Sequence, residues 1–254
     1  MIILLSPAKT LDMKNQDKTK QHTIPRLLER SEIIADIMKG YSPSRLVDLM
    51  GISLVLARTN AERYINWELP FTTDNAKQSI FAFSGEVYRG LNVASFTQQD
   101  LKLAQKYIRI LSGLYGVLRP FDLMMPYRLE MGTPLSNPAG SNLYAFWRET
   151  VTNCINDDLE QSKSLALINL ASEEYFKVID TSKISKPIIT PIFLETKRDK
   201  PRVVAVYAKK ARGLMSAFII KNVLVNPEEI KLFDLDDYHY SLDLSSGNTW
   251  AFVR

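Results

Sequence analysis

Several short segments of this chain combine small residues with groups that can hold an anion or move a proton. Ser6-Pro7-Ala8-Lys9 has the Ser-x-x-Lys spacing of some acyl-transfer enzymes, but Lys9-Thr10 is followed by Leu11 and no companion motif of that chemistry occurs. Lys9 and Asp12 are better understood from their place. They follow an apolar run, Ile2 to Leu5, that reads as a buried strand, and α/β proteins take their ligands at the C-terminal ends of strands. Phe83-Ser84-Gly85-Glu86-Val87-Tyr88-Arg89-Gly90 is a second strand-to-helix turn of this kind, with Glu86 the carboxylate to test for acid or base work. Ser6, Ser84 and Tyr88 are its polar neighbours. The stretch Ser112 to Gly140 holds four glycines and four prolines. It adds Tyr115, Arg119, Tyr127 and Arg128, residue types that line clefts where aromatics stack on bases and arginines grip phosphate. A well-packed structural loop is the alternative reading of this stretch.

Positive charge is segregated. The whole chain carries a formal +4, yet Lys183 to Asn222 alone contains ten basic residues against Glu195 and Asp199, a net +8, so the rest sums to −4. Such a stretch concentrates phosphate backbones through counterion release. A helix read from Lys209 to Asn222 would place Lys209, Lys210 and Arg212 in its first turn, where free N–H groups and the helix dipole already favour an anion. Gly213 would let a ligand approach the backbone, while Ala211, Leu214, Met215 and Phe218 fall on the core face. The alternative is a basic helix start held by nearby acidic side chains.

A third constellation is Leu49-Met50-Gly51-Ile52-Ser53, closed by Ala57. It has the form of a helix-hairpin-helix turn, whose backbone N–H groups meet a DNA phosphate without reading sequence. Ser53 stands where the second glycine of that signature falls, and an ordinary pair of helices is the competing reading.

The elements that must position these groups follow from periodicity and turn residues. Helices are expected from about Pro25 to Lys39, with Leu27, Leu28, Ile33, Ile34 and Ile37 as its apolar stripe, and from Ser42-Pro43 to Gly51. Ser53 caps the next, from about Leu54 to Trp67. Further on, Ser79 to Phe83 reads as a strand, Gln98 to Tyr107 as a helix and Ile108 to Leu111 as a strand, a βα alternation. Leu143 to Leu159 is predicted helical, Leu165 to Leu170 a strand, and Ser172 to Val178 a short capped helix. Ile188 to Glu195 and Val203 to Tyr207 read as strands, paired across Lys197-Arg198-Asp199-Lys200, and Tyr238 to Leu244 pairs with Thr249 to Val253 around Ser246-Gly247-Asn248. Asp12 to Thr23 is a polar loop and the first candidate for mobility. The expectation is an α/β fold in a single compact domain, residues 1–254, with a mixed sheet, flanking helices and a helical hairpin at about residues 42–67.

Composition bounds the function classes. At 46% hydrophobic and 24% charged residues the chain is an ordinary globular protein. Cys154 is the only cysteine, so no intrachain disulfide forms and a cytoplasmic setting is expected. No apolar run reaches the ~18 residues of a membrane span. His22 and His239 are far apart, so no structural metal is expected, and neither a phosphate-loop nor a dinucleotide fingerprint is present, so no cofactor is.

Six segments together resemble the YaaA peroxide-stress family, long known only as a family of unknown function. They are Leu5-Ser-Pro-Ala-Lys-Thr-Leu-Asp12, Ala82-Phe-Ser-Gly-Glu-Val-Tyr-Arg-Gly90, Leu111-Ser-Gly-Leu-Tyr-Gly-Val-Leu-Arg-Pro-Phe-Asp122, Pro126-Tyr-Arg-Leu-Glu-Met131, Asn169-Leu-Ala-Ser-Glu-Glu-Tyr175 and Lys210-Ala-Arg-Gly-Leu-Met215. The resemblance implies an α/β domain of unusual topology, a helix-hairpin-helix element falling on Gly51 to Ser53, and a positively charged cleft. It also implies DNA binding with little sequence preference, on duplex or on repair and recombination structures, and a role in limiting oxidative DNA damage and free iron. On that reading Lys9, Gly51, Ser53, Arg119, Arg128, Lys209, Lys210 and Arg212 contact nucleic acid, with Ser6, Asp12, Ser84, Glu86, Tyr88, Tyr115 and Tyr127 as pocket candidates. The competing reading is an enzyme acting on nucleic acid or a nucleotide-like small molecule in a basic cleft. Convergence of these turns on one deep cavity favours the enzyme, and an open basic groove continuous with the hairpin favours simple binding. An iron-handling or partner-binding stress protein is a third.

Overall fold

The computed structural model describes residues 1–16, 18–197 and 200–254. Its first strand, β1 (Ile2–Leu5), is four consecutive apolar residues without solvent exposure, a pattern that only a strand covered on both faces can satisfy. Strand β2 (Thr10–Leu11) follows, and then helix α1 (Leu28–Lys39). Its buried face is Ser31, Ile34, Ala35 and Met38. Ile33, expected in the stripe, is 41% exposed, because the buried face runs through Ser31, Ile34, Ala35 and Met38 and Ile33 lies about 100° round the helix from Ile34.

Helices α2 (Pro43–Met50) and α3 (Leu54–Ile65) lie within the segment expected for the helical hairpin. Ser42 caps the first, accepting from Arg45 N, with Pro43 in its first turn, and Ser53 caps the second. Gly51 ends α2 at φ +60°, the left-handed conformation that glycine adopts without strain. Next come β3 (Lys77–Gln78), α4 (Ser79–Ala82), β4 (Phe83–Ser84) and α5 (Glu86–Leu91). Ser79 to Ala82, expected as strand, is one helical turn: the Ser79 hydroxyl and the amides of Ser79 and Ile80 bond the carbonyls of residues 119–122, and that anchoring overrides strand propensity.

Helix α6 (Gln98–Tyr107), with a capping box from Thr97 and Asp100, leads straight into β5 (Ile108–Ser112). The glycine- and proline-rich stretch contains β6 (Gly116–Leu118) and β7 (Leu123–Met124) and is largely core: Leu114, Val117, Leu118, Leu123 and Met124 are buried. After it come α7 (Leu143–Gln161), β8 (Leu167–Leu170), α8 (Glu173–Phe176), β9 (Ile188–Lys197) and β10 (Lys200–Arg202). The connection at Arg198-Asp199, where a hairpin was expected, lies outside the described residues; the strand that pairs antiparallel with β9 beyond it is β10, not the expected Val203 to Tyr207. Val203 to Tyr207 is not a strand. Helix α9 (Ala205–Lys221) begins there, four residues earlier than Lys209, because Ala208, Ala211, Met215 and Ile219 extend one buried helical face. The hairpin β11 (His239–Ser246) and β12 (Thr249–Val253) closes the fold as expected.

Eight strands form a mixed sheet in the order β11-β12-β9-β8-β1-β5-β6, with β10 on the edge of β9. Strand β1 sits inside it, parallel to β5 on one side and β8 on the other. The chain leaves β1 for β5 and then crosses to β8, so the strand order reverses at β1. Such switch points are where open α/β sheets take ligands. Beneath the sheet, Asp158 on α7 accepts two hydrogen bonds from Arg109 on β5, at 2.6 and 2.7 Å, and two from Arg26, at 2.8 and 3.1 Å. Burial alone would push its carboxyl up, but the two guanidiniums hold it below the usual carboxylate range.

Helices α5 and α9 cross with their backbones almost touching. A Cβ on Gly213 would lie 1.8 Å from the Val87 carbonyl oxygen, and one on Gly90 would lie 2.0 Å from that of Lys210. Gly213 therefore serves helix packing and is not open to a ligand, which corrects the expectation for it. Gly213→Ala is expected to destabilise the protein by about 3 kcal/mol through forced separation of the two helices. The urea midpoint should fall accordingly, and a midpoint within error of the parent's would show that the crossing tolerates a methyl group.

Candidate functional site

At the switch point the chain turns out of β1 and β8 side by side. Ser6 and Ser172, the polar residues just past these strands, are joined there: Ser172 N donates to Ser6 Oγ at 2.8 Å, and Ser6 Oγ donates to Ser172 Oγ at 3.2 Å. The Ser6 carbonyl accepts from Tyr88 Oη at 3.1 Å, fixing α5 to the end of β1. These bonds frame a cavity of about 300 Å³.

Five segments distant in sequence supply its charged lining. The β1 exit gives Lys9, the turn into α5 gives Glu86, residues 127–130 give Arg128 and Glu130, α8 gives Glu174, and α9 gives Lys209 and Arg212. Ser84, Tyr127 and Tyr175 add to the polar lining. The crossing at Gly90 and Gly213 is what brings the α9 cations to the edge of α5.

The charges are unequally matched. Glu130 Oε1 lies 3.1 Å from Lys9 Nζ and accepts from Arg128 Nη2 at 3.1 Å, so one carboxylate serves two cations. Glu174 Oε1 accepts from Gly132 N at 3.1 Å, and Glu86 pairs with Arg89 at 2.6 Å. Lys209 and Arg212 have no acidic partner among the described residues, and burial, with no opposing carboxylate, lowers the Arg212 guanidinium from the ordinary arginine value. A half-buried cation without a counter-ion is costly unless an anion reaches it.

The tyrosines form a rigid backing. Tyr127 Oη and Ser112 Oγ are 2.6 Å apart, Ser112 Oγ accepts from Tyr115 N at 2.9 Å, and Tyr115 Oη takes Trp67 Nε1 at 3.0 Å. Burial raises the hydroxyls of Tyr88, Tyr127 and Tyr175, so all three stay neutral donors at physiological pH.

Of the residues singled out in the sequence, Ser6, Lys9, Ser84, Glu86, Tyr88, Tyr127, Arg128, Lys209 and Arg212 meet at this cavity. Others do not. Arg119 is turned away, bound to Asp122 at 2.8 Å and to the Ile24 carbonyl at 3.0 Å, and Tyr115 is wholly buried behind the lining. Asp12 caps a local turn through Lys14 N, and its carbonyl accepts from Lys77 Nζ at 2.7 Å. Lys210 pairs with Asp236 at 3.0 Å. Gly51 and Ser53 are exposed and lie outside the lining. Because α9 begins at Ala205, the amides of Lys209, Lys210 and Arg212 are inside the helical ladder, and the expected anion site on free N–H groups does not exist there. Among the described basic residues of 183–222, Lys210 and Lys183 are paired with Asp236 and Asp180, and Lys221 donates to the Ser95 hydroxyl. Glu130, Ser172, Glu174 and Tyr175 were missed as cavity residues. The segments holding them stood out in the sequence, but no spacing within 126–131 or 169–175 marks a shared site.

Among the described residues no helix is long and apolar enough to cross a membrane, and no group of three or more His, Cys, Asp or Glu is placed to hold a metal. A family model described as Peroxide stress protein YaaA matches residues 1–244. The chain belongs to the YaaA peroxide-stress family. Two similar proteins agree with that membership over full length. A "UPF0246 protein" from Hahella chejuensis is 52% identical over 254 residues, covering 100% of this chain and 99% of the relative. One from Ralstonia pickettii is 47% identical over the same span, with the same coverage. In this YaaA-family chain the cavity joins five of the six segments by which the sequence resembles the family, and the sixth, Leu111 to Asp122, supplies the tyrosine support behind it.

Glu130 is the internal counter-ion of Lys9 and Arg128. Glu130→Gln is expected to release both cations, so that the variant elutes from heparin at higher salt than the parent. Its thermal midpoint should fall modestly: the Lys9 end is 67% exposed and adds little, but Arg128 and Glu130 are 18% and 15% exposed and lose a partly buried pair. Unchanged elution would mean that the two cations are not accessible to a polyanion.

Proposed function

We propose that this protein acts in the peroxide response by binding DNA without sequence preference, so limiting oxidative DNA damage and free iron in a cytoplasmic setting. The observation that carries the DNA reading is the cavity's charge: basic residues from three separate segments, with Lys209 and Arg212 lacking any acidic partner among the described residues. Phosphate oxygens are the anions such cations bind without reading bases. The helical hairpin belongs to the same surface in this reading. Tyr64 Oη on α3 donates to the Arg128 carbonyl at 2.8 Å, fastening the hairpin to the cavity wall, and Arg63 beside it faces the positive charge of Arg128. Ser53 would then offer an exposed backbone N–H group further along the duplex, whereas the expected contribution from Gly51 is corrected: its N–H already donates to the Val47 carbonyl at 2.9 Å.

The second reading, an enzyme acting on nucleic acid or a nucleotide-like small molecule, is favoured by one observation. The strand-to-helix turns converge on a single cavity that also holds Glu86, Glu130 and three neutral tyrosines, the kind of concave, convergent site where chemistry is usually found.

Fluorescence anisotropy of a labelled duplex at several salt concentrations tests the binding reading. The Lys209→Ala, Arg212→Ala double variant is expected to bind more weakly, with the slope of log affinity against log salt reduced by about 0.9 for each phosphate that is no longer neutralised. A parent-like affinity and slope would remove these residues from the interface. We also take residues 1–254 as one folding unit, since buried side chains from Met1 to Phe252 form one contiguous core. Calorimetry should then record a single transition, and two resolved transitions would divide the chain.

A further inference from the structure

The cavity is small, and its positive charge is only slightly in excess, which suits one phosphate better than a run of them. Its four cations, Lys9, Arg128, Lys209 and Arg212, face three carboxylates, Glu86, Glu130 and Glu174, leaving one positive charge in excess. At about 300 Å³ it holds no duplex, but it matches the lower end of small-ligand sites. Its polar groups are also sorted. Arg212 and Lys209 on α9 are cations without acidic partners among the described residues. Glu130 and Glu174 each engage only Oε1, so each keeps an oxygen that accepts no hydrogen bond among the described residues. Tyr88, Tyr127 and Tyr175 add aromatic lining whose hydroxyls stay protonated.

A ligand that satisfies all of this carries one or two negative charges at one end and N–H donors on a flat ring at the other. We infer that the cavity receives a single unpaired nucleotide, its phosphate against Arg212 and Lys209 and its pairing edge against the free oxygens of Glu130 and Glu174. Carboxylates reject phosphate but accept from the amino and imino groups that a base exposes once its partner is gone. An unpaired or extruded nucleotide is also the only part of a DNA strand that fits the volume, and extrusion from an intact pair carries an unstacking and unpairing cost that a bulge does not. The same chemistry is offered by a free nucleoside monophosphate. The inference rests on the proposed DNA binding only for the source of the nucleotide.

Two probes separate the sources: a duplex with one bulged nucleotide beside the fully paired duplex, by anisotropy, and free 2′-deoxynucleoside 5′-monophosphates, by calorimetry. The expected result is that the parent binds the bulged duplex at least tenfold more tightly than the paired one. Arg212→Met, which keeps the aliphatic stem, should erase this preference. Glu174→Gln, which keeps the shape and the acceptor for Gly132 N, should lower it at least threefold while its thermal midpoint stays that of the parent, separating a missing ligand bond from a damaged fold. Monophosphate binding that disappears in Arg212→Met, with no binding of either duplex, would keep the nucleotide site and overturn the DNA reading. Equal binding of the two duplexes with no monophosphate binding would overturn the inference and leave the DNA reading standing. A bulge preference or monophosphate binding that survives both substitutions would place the nucleotide elsewhere and overturn the inference. No binding of any probe would end both.

Discussion

The contact between Gly90 on α5 and Gly213 on α9 is the constraint from which the site follows. Two helix backbones meet where a single methyl group would overlap a carbonyl oxygen, so the separation of the helices is set by the backbones themselves rather than by side chains. Everything that α9 contributes to the cavity is therefore placed with little freedom. Arg212, adjacent to Gly213, is held at the edge of α5 beside Glu86 and Tyr88, and Tyr88 in turn is bonded to the end of β1. A chain of short contacts thus runs from the central strand to the cation without an acidic partner, and positional error at the cavity is correspondingly small.

Electrostatics at the cavity differs from what the net charge of the region suggests. A linear count over residues 183–222 gives +8, but among the described residues folding pairs Lys183 with Asp180 and Lys210 with Asp236, so the count overstates the free charge. What distinguishes Lys209 and Arg212 is their place in the cavity lining without such a partner among the described residues, not their membership in a basic run. Glu130 works in the opposite sense. By engaging Lys9 and Arg128 at once, it holds two cations in fixed positions while halving their field.

Much of this was legible in the sequence, and for identifiable reasons. The four-residue apolar run of β1 and the Ser42-Pro43, Gly51 and Ser53 signals carry their own local physics, so strand, caps and turn fall where they were expected. The strand-to-helix turns at Lys9 and at Glu86 were recognisable because the ends of parallel strands are where such folds leave polar backbone accessible. Errors arose where tertiary contacts outweighed local preference. Val203 to Tyr207 is rich in β-branched residues yet opens α9, since the helix continues a face already committed to the core. Gly213 read as an opening for a ligand because a sequence cannot say whether the space beside a glycine is filled by another backbone. Tyr115 and Arg119 sat in a motif-like stretch, but one is a hydrogen-bonded core residue and the other is occupied by Asp122, three residues away. Glu130 and Glu174 could not be placed, because their partners lie on other segments.

The buried carboxylate of Asp158 has a consequence beyond the bonds it makes. Its two partners come from Arg26, ahead of α1, and from Arg109, in β5 beside β1. A slip of β5 by one residue would turn Arg109 to the other face of the sheet. That would leave a buried carboxylate short of one guanidinium and a buried guanidinium with none, at a cost of several kcal/mol. A paired buried ion cluster adds little to the stability of a correct structure, so its weight falls on the incorrect ones. Asp158 thus acts as a checkpoint on assembly: it admits the strand alignment that places β1, β5 and β8 together and penalises its near neighbours.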